Sequence, residues 1–299
     1  MMRIGVTYDL RADYLAMGMS EEDTAEFDSE ITIAAICSAL GDLGLTPVRI
    51  GTVKNLIAKL AKGERFDAVF NFCEGLKGIA REAQVPAILD IYDIPYVFSD
   101  PLTLALALDK GMCKRVVRDA GVPTVDFRVI EKLSDVKKVD LPFPLFLKPM
   151  REGSGKGVGA DSKVENARDL RRVAGTLLAK FNQPVLVEEF LPGREFTVGI
   201  VGTGDDAAVW ACRRLCPLET GSVTATAMRT RNIPTTRSPS SKPTKRTPKP
   251  PARWHWPHGV RCVAVTAVAS MYAATPTASR ISSRSIRSPA CGQTIRTFV

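Results

Sequence analysis

The amino-acid sequence predicts an α/β fold that begins with a doubly wound domain. Three observations support this prediction. Short apolar runs alternate with helical patterns over the first hundred residues, these runs are too short to span a membrane, and 45% of the 299 residues are hydrophobic, as in a globular protein. Alternation of this kind indicates a parallel sheet with crossover helices.

Residues 1–100 are predicted to form one N-terminal domain of four strands and three helices. The strands are Arg3–Thr7, Pro47–Ile50, Ala68–Phe72 and Pro95–Phe98, and the helices are Glu30–Leu43, Asn55–Ala61 and Arg81–Tyr92. The first helix ends before Gly44, because glycine readily adopts the conformation that terminates a helix.

Residues 101–211 continue the mixture of helices and strands. We predict helices at 101–108, 110–120 and 164–180, and strands at 126–130, 145–148, 185–190, 196–201 and 207–211. We divide this part into a small subdomain at 101–184 and the start of a larger subdomain at 185–211.

The charge of the chain changes sharply after Ala211. Through Ala211 there are 26 Lys and Arg against 31 Asp and Glu, whereas from Cys212 onward there are 15 basic residues and one acidic residue, Glu219. This second part is rich in Ser, Thr and Pro and cannot bury enough apolar surface to offset the entropy of ordering it. We therefore predict that residues 212–299 form a disordered, low-complexity basic tail.

Composition also restricts the chemistry and the compartment. The two histidines, His255 and His258, lie in the tail, so histidine-based catalysis is excluded for residues 1–211. Seven scattered cysteines indicate reduced thiols rather than a disulfide framework. The chain begins directly as a strand without a secretory signal, and we therefore expect a cytoplasmic protein that does not associate with membranes.

A glycine-rich loop follows the predicted strand at 145–148. Lys148 ends this strand, and Gly153, Gly155, Gly157 and Gly159 follow it. Glycines let backbone N–H groups approach anionic oxygens and the lysine adds a positive charge, so the segment predicts a β-hairpin flap over nucleotide phosphates. Because the lysine precedes the glycines, the loop is neither a Walker loop nor a Rossmann fingerprint. Such a loop also serves as a plain connection.

An acidic segment follows the next helix. The strand ending in Glu188-Glu189-Phe190-Leu191 presents a carboxylate and backbone groups that suit an adenine edge, and Glu195, seven residues beyond Glu188, suits ribose hydroxyls. Taken alone, this segment is more typical of a solvated acidic strand end.

Together these segments resemble the D-alanine–D-alanine ligase family of the ATP-grasp superfamily. The matching segments lie in order between residues 3 and 211 and are Ile94-Pro95-Tyr96, Leu108-Asp109-Lys110, Gly121-Val122-Pro123, Lys148-Pro149, Arg151-Glu152-Gly153-Ser154, Val187-Glu188-Glu189-Phe190-Leu191 and Gly193-Arg194-Glu195-Phe196-Thr197-Val198. The resemblance implies that residues 101–211 are an ATP-grasp domain that is incomplete. It also implies a ligase that joins two amino acids through an acyl phosphate, with ATP and Mg²⁺ as cofactors. The implied substrate is D-alanine, and the implied role is in peptidoglycan synthesis.

The resemblance further implies roles for individual residues. The nucleotide would be bound by six of them: the phosphates by Lys110 and Lys148, the adenine amino group by Glu188, the base by Phe190 and Leu191, and the ribose by Glu195. Ser154 would lie in the flap near the substrates, and Glu30 would bind the ammonium of the first amino acid. A carboxylate at a helix start, such as Glu30, also has a simple explanation in the helix dipole. The family precedent suggests a homodimer through the N-terminal domain.

Two departures from the family's pattern concern the substrate and the metal. The segment at 71–82 lacks the family's usual His, which leaves the joined amino acids open. The family's metal motif, an Asp followed by Glu-x-Asn, is absent from residues 212–299, so no metal ligand is assigned in this chain.

A native basic tail and a frameshift both explain this absence. Codons read in a shifted frame permit Tyr-Ser-Tyr-Glu-Asn-Lys-Glu across residues 225–232, Arg-Val-Asp-Val across 268–272 and Phe-Ile-Glu-Val-Asn-Pro-Leu across 281–288. These resemble the missing elements in the right order, with the Asp at the position of Met271, the Glu at Arg284 and the Asn at Ile286. We therefore expect residues 212–299 to be out of frame and the ligase activity of this chain to be impaired.

Two other interpretations stay open. The chain is an ATP-grasp ligase with other amino-acid substrates, or it is a non-catalytic nucleotide-binding module whose basic tail binds nucleic acid or an acidic partner. Trp254 and Trp256 lie in one Pro-flanked stretch without an interleaved aromatic platform, which disfavours nucleic acid.

Overall fold

The structure, a computed structural model, describes residues 1–193, 195–201, 208–217 and 228–233, with side chains up to residue 193 and at residues 198–200. The strands of this part of the chain form three sheets, one parallel and two antiparallel. Among the residues so described, no helix is both long enough and apolar enough to cross a membrane.

The first sheet is parallel and is covered by helices on both faces. Its strands are β1 (Arg3–Tyr8), β2 (Thr46–Gly51) and β3 (Ala68–Phe72), in the order β2-β1-β3. One face packs against α2 (Glu30–Asp42), and the other packs against α3 (Val53–Ala61) and α4 (Gln84–Ile91). The doubly wound arrangement predicted for residues 1–100 is therefore confirmed.

Two local predictions for this region are wrong. The segment predicted as the strand Pro95–Phe98 makes only a bridge, in which Tyr96 pairs with Val69. The helix predicted to start at Arg81 begins instead as a 3-10 turn, Arg81–Ala83, before α4. A further short helix, α1 (Arg11–Ala16), was not predicted.

The second sheet is antiparallel and supports the glycine-rich loop. Its order is β4-β7-β5-β6, with β4 (Phe127–Ile130), β5 (Leu145–Pro149), β6 (Lys163–Val164) and β7 (Val185–Glu189). One face is buried under α7 (Ala167–Phe181), where Leu145, Leu147, Val185 and Val187 pack against Leu170, Ala174 and Leu177. Two further helices, α5 (Pro101–Leu108) and α6 (Lys110–Asp119), precede this sheet.

Polar side chains fix where five of these helices start. The N-cap residue of each accepts a hydrogen bond from a backbone N–H of the first turn, which would otherwise lack a partner. These residues are Ser29, Thr52, Asp100, Asp109 and Asn166.

The third sheet corrects the prediction for the tail. Strands β8 (Glu195–Val201), β9 (Ala208–Pro217) and β10 (Met228–Ile233) pair antiparallel in the order β10-β9-β8. The expectation that sheet structure ends at Ala211 is wrong, because β9 continues to Pro217 and β10 lies wholly beyond it. The rest of the predicted tail lies outside the described residues, and the domain division at residues 100 and 184 stays a prediction.

An ion network connects the N-terminal half to the glycine-rich loop. The guanidinium of Arg81 lies 3.2 Å from the Glu26 carboxylate and 3.5 Å from that of Glu152, and it donates to the Arg151 carbonyl at 2.8 Å. The side chains of Arg81, Glu26 and Glu152 are at most 10% exposed. Separating the partners of a buried ion pair leaves an unpaired charge, which is unfavourable. Arg81 should therefore hold the loop against the first half of the chain.

We predict that Arg81→Met loosens this loop. The rate of tryptic cleavage after Arg151 and Lys156 should rise about tenfold, since local opening exposes the backbone to the protease. Arg49→Met is the matched control, because Arg49 forms an exposed ion pair with Glu30 in the first half of the chain. Equal cleavage rates for Arg81→Met and the unaltered protein would show that the network does not restrain the loop.

Candidate functional site

The alternation of side chains along β5 and β7 brings Lys148 to Glu188. Leu147 and Val187 are buried against α7, so their neighbours Lys148 and Glu188 lie on the opposite face of the sheet. The register pairs Phe146 with Glu188 and thereby makes Lys148 the diagonal neighbour of Glu188. The Lys148 Nζ donates to Glu188 Oε1 at 2.5 Å. Two residues that the sequence singled out in separate segments are thus in direct contact.

A second lysine, Lys114, completes this contact from α6. Lys114 follows Lys110 by one helical turn, so α6 presents both on the same side. The Lys114 Nζ lies 3.1 Å from Glu188 Oε2 and donates to Thr124 Oγ1 at 2.8 Å. The sequence analysis missed Lys114, although its spacing from Lys110 was a usable signal.

The charge of Glu188 depends on these two lysines. Burial, which leaves 8% of the residue exposed, would by itself raise the pKa of Glu188. The ammonium groups of Lys148 and Lys114 outweigh burial and hold the pKa below its usual value. Glu188 is therefore ionised at neutral pH.

Lys110 lies beside the start of the glycine-rich loop. Its Nζ donates to the carbonyl oxygens of Met150, at 3.4 Å, and Glu152. Burial, with a further contribution from the Lys148 charge, lowers the pKa of Lys110 to about 8, although Glu26, Glu152 and Glu82 act in the opposite direction. Two ammonium groups that repel each other in a partly buried site form a suitable place for an anion.

The glycine-rich loop connects β5 to its antiparallel neighbour β6. The loop itself consists of successive turns, with Lys156 N–H bonded to the Gly153 carbonyl and Val158 N–H bonded to the Gly155 carbonyl, both at 2.9 Å. The glycine segment is thus the connection of an antiparallel β5–β6 hairpin, and N–H groups within it close turns; its role as a flap over phosphates stays a prediction. At Gly157, with φ of 73°, a Cβ would lie 2.5 Å from a Pro149 carbon, so only glycine fits.

One amide of the loop already binds an anionic oxygen. The Gly153 N–H donates to Oε1 of Glu26, whose other oxygen is paired with Arg81. Since phosphate oxygens accept hydrogen bonds in the same way as a carboxylate, this contact shows that the loop's backbone suits an anion.

Charged side chains fix the first part of this loop. The Arg151 Nε donates to Asp109 Oδ2 at 2.8 Å, while the other Asp109 oxygen caps α6. Glu152 pairs with Lys156 at 2.9 Å and accepts from the Gln183 amide at 2.6 Å. The loop is therefore linked directly to the helix that carries Lys110 and Lys114.

Both predicted catalytic residues are exposed. Glu30 is exposed in the first turn of α2 and pairs with Arg49 at 2.6 Å. This ion pair and the helix dipole give Glu30 a structural explanation. Ser154 is exposed on the glycine-rich loop with a left-handed backbone, φ 46°. The substrate roles implied for both residues stay predictions.

The remaining predicted nucleotide residues follow β7. The Phe190 ring lies 6.3 Å from that of Phe146 and 5.0 Å from the Lys163 Nζ, and its N–H donates to the Pro144 carbonyl. Leu191 is half-buried in the loop that follows. Glu195 begins β8, where its backbone pairs with Leu215, and its side chain lies outside the described residues.

The divergent segment at 71–82 contains Arg81 and two carboxyl groups, those of Glu74 and Glu82. Burial, followed by the charges of Glu82, Glu26 and Asp28, raises the pKa of Glu74 to about 8. No group of three or more Asp, Glu, His or Cys side chains in the described part of the chain is arranged to hold a metal ion. Cys37, Cys73 and Cys113 do not form disulfides.

Sequence comparisons connect this chain with ligases. Residues 116–220 match the family model described as "D-ala D-ala ligase C-terminus". A D-alanine–D-alanine ligase of Aquifex aeolicus is 36% identical over 56% of this chain and 55% of its own length, and one of Bordetella petrii is 32% identical over 68% and 57%. An uncharacterized protein of Sinorhizobium fredii, y4sG, is 36% identical over 45% and 39%. The chain thus spans about half the length of these relatives. The family match extends to residue 220, so the expectation that the resemblance ends at Ala211 is wrong.

Solved structures show the same fold. A D-alanine–D-alanine ligase from Bacillus anthracis complexed with ATP superposes with a TM-score of 0.57 at 20% identity and covers 78% of this chain and 71% of that one. The VanG D-Ala:D-Ser ligase from Enterococcus faecalis gives a TM-score of 0.54 at 20% identity, covering 74% and 71%. By sequence, residues 116–220 match the C-terminal region of D-alanine–D-alanine ligases, and by fold the chain is similar to solved structures of such ligases.

Proposed function

We propose that this chain carries the nucleotide site of an ATP-dependent ligase that joins two amino acids. The observation that supports this most strongly is the cluster of Lys110, Lys114, Lys148 and Glu188 beside a glycine-rich loop. Three ammonium groups and a loop amide directed at an anionic oxygen suit a polyphosphate.

The residues of this site divide between the two ends of the nucleotide. Lys110 and Lys148 would neutralise the phosphates, and the glycine-rich loop would let the backbone approach them closely. Glu188 would accept from the adenine amino group, with Phe190 and Leu191 beside the base and Glu195 at the ribose. When bound, ATP would supply the phosphoryl group that activates a carboxylate as an acyl phosphate.

The amino-acid substrates follow from the family and from the divergent segment. We propose D-alanine as the first candidate because the curated relatives from Aquifex and Bordetella are D-alanine–D-alanine ligases. The segment at 71–82 differs from the family's pattern, and a solved structure of the same fold is a D-Ala:D-Ser ligase. A ligase with another second amino acid is therefore the alternative.

The C-terminal part of the chain limits this activity. We propose that the reading frame changes after residue 220, where the family match ends, and that the Asp and Glu-x-Asn motif lies in the other frame. Because magnesium requires oxygen ligands and no suitable group is arranged in the described residues, we assign no step to a metal ion.

ATP affinity should depend on the protonation of Lys110. Since the pKa of Lys110 is lowered to about 8, its ammonium is present below that pH and is lost above it. Titration calorimetry gives the ATP affinity of the unaltered protein and of Lys110→Met. The first affinity divided by the second should fall about fivefold between about pH 7 and about pH 9. The control is Lys59→Met on α3, which removes an ion pair with Glu64. Its ATP affinity should change with pH as that of the unaltered protein does. A ratio that is constant with pH would contradict the assignment of Lys110.

Restoring the reading frame after residue 220 should restore catalysis. The repaired protein should release phosphate from ATP with D-alanine and magnesium chloride, whereas this chain should reach at most about 1% of that rate because its charge-neutralising metal site is missing. The gene provides an independent check, since the bases under Met271 to Arg287 must encode the Asp and Glu-x-Asn motif. Comparable phosphate release by this chain would refute the proposed impairment.

A further inference from the structure

Lys114 is a buried lysine of the site. None of the nucleotide contacts proposed above involves it. It is 1% exposed, whereas a quarter of the Lys148 side chain reaches the surface. Its Nζ is held between Glu188 Oε2 and Thr124 Oγ1. Lys148 is therefore the member of the pair that an incoming ligand meets first.

The two lysines use different oxygens of the same carboxylate. Lys148 binds Oε1 and Lys114 binds Oε2, so either ammonium can leave without disturbing the other contact. A buried carboxylate that loses its last counterion becomes an unpaired charge, which is strongly unfavourable. With Lys114 in place, Glu188 keeps a partner after Lys148 has left.

Among the described residues, the groups around Glu188 leave its charge to be balanced by the two lysines. The residues paired with Glu188 on the neighbouring strands are aromatic, Phe127 on β4 and Phe146 on β5. The guanidinium groups of Arg115 and Arg118 lie over the Phe127 ring, each 5.8 Å from its centre. The charges that hold Glu188 ionised are those of Lys148 and Lys114.

We propose that Lys114 is a positioning residue that serves as the permanent counterion of Glu188 and thereby frees the Lys148 ammonium to bind an anionic ligand. This inference rests on the proposed nucleotide site and adds to it an exchange of ion-pair partners. Without Lys114, Lys148 is the last counterion of Glu188 and is retained there.

The test is a double-mutant cycle on ATP affinity, measured by titration calorimetry with magnesium chloride. The variants are Lys114→Met, Glu188→Gln, the double variant and Lys114→Arg, and circular dichroism reports whether each is folded. The double variant removes the charges at both positions, and Lys148 loses its carboxylate partner equally in Glu188→Gln and in the double variant, so this loss cancels in their comparison.

Lys114→Met should weaken ATP binding about tenfold relative to the unaltered protein, because Lys148 then stays on Glu188. In the Glu188→Gln background the same substitution should change affinity by less than about twofold, since no carboxylate competes for Lys148. Lys114→Arg should retain affinity within about threefold because it keeps the charge.

Equal losses in the two backgrounds would overturn the inference, as would a folded Lys114→Met that binds ATP like the unaltered protein. If Lys114→Met does not fold, the comparison of the double variant with Glu188→Gln decides, and a tenfold loss there would overturn it. Absence of ATP binding by the unaltered protein would refute the proposed nucleotide site itself. A failure of the cycle alone would refute only the exchange of partners.

Discussion

The site depends on one buried carboxylate, that of Glu188, which is stable as an anion only because two ammonium groups reach it. Lys148 comes from the neighbouring strand β5 and Lys114 from α6, so this contact ties the sheet to the helix. Removing both ammonium groups would leave an unpaired buried charge, which should cost about 3–5 kcal/mol, a large part of the stability of a typical domain. The same charges that stabilise the packing therefore provide the positive potential of the site.

The sheet can carry these charges because its two faces have different partners. Along β5 and β7 every second side chain is apolar and packs under α7, and the opposite face of the sheet carries Lys148 and Glu188. The glycine-rich loop then begins where β5 ends, beside Lys110. Glu26 and Arg81 link this loop to the first half of the chain, so the geometry of the loop depends on residues far away in the sequence.

Periodicity and turn residues predicted the elements well where the signal is local. The alternating N-terminal strands and helices and the contact partners Lys148 and Glu188 follow from short patterns. Lys114 was missed because a lysine on a helix is usually solvated, and its burial depends on the sheet that packs against α6. Composition also misled the analysis for β9 and β10, since strand pairing occurs within a stretch that is rich in Thr and Arg. The Arg81 network was not predictable, because it joins residues 55 and 71 positions apart in the sequence.

The most direct test of this account is a crystal structure of the protein with a non-hydrolysable ATP analogue. We expect the Lys148 Nζ within hydrogen-bonding distance of a phosphate oxygen, about 3 Å, and the Lys114 Nζ still at a similar distance from Glu188. An analogue bound away from the glycine-rich loop would contradict the account, and so would a bound state in which Lys148 stays on Glu188 while Lys114 turns to the ligand.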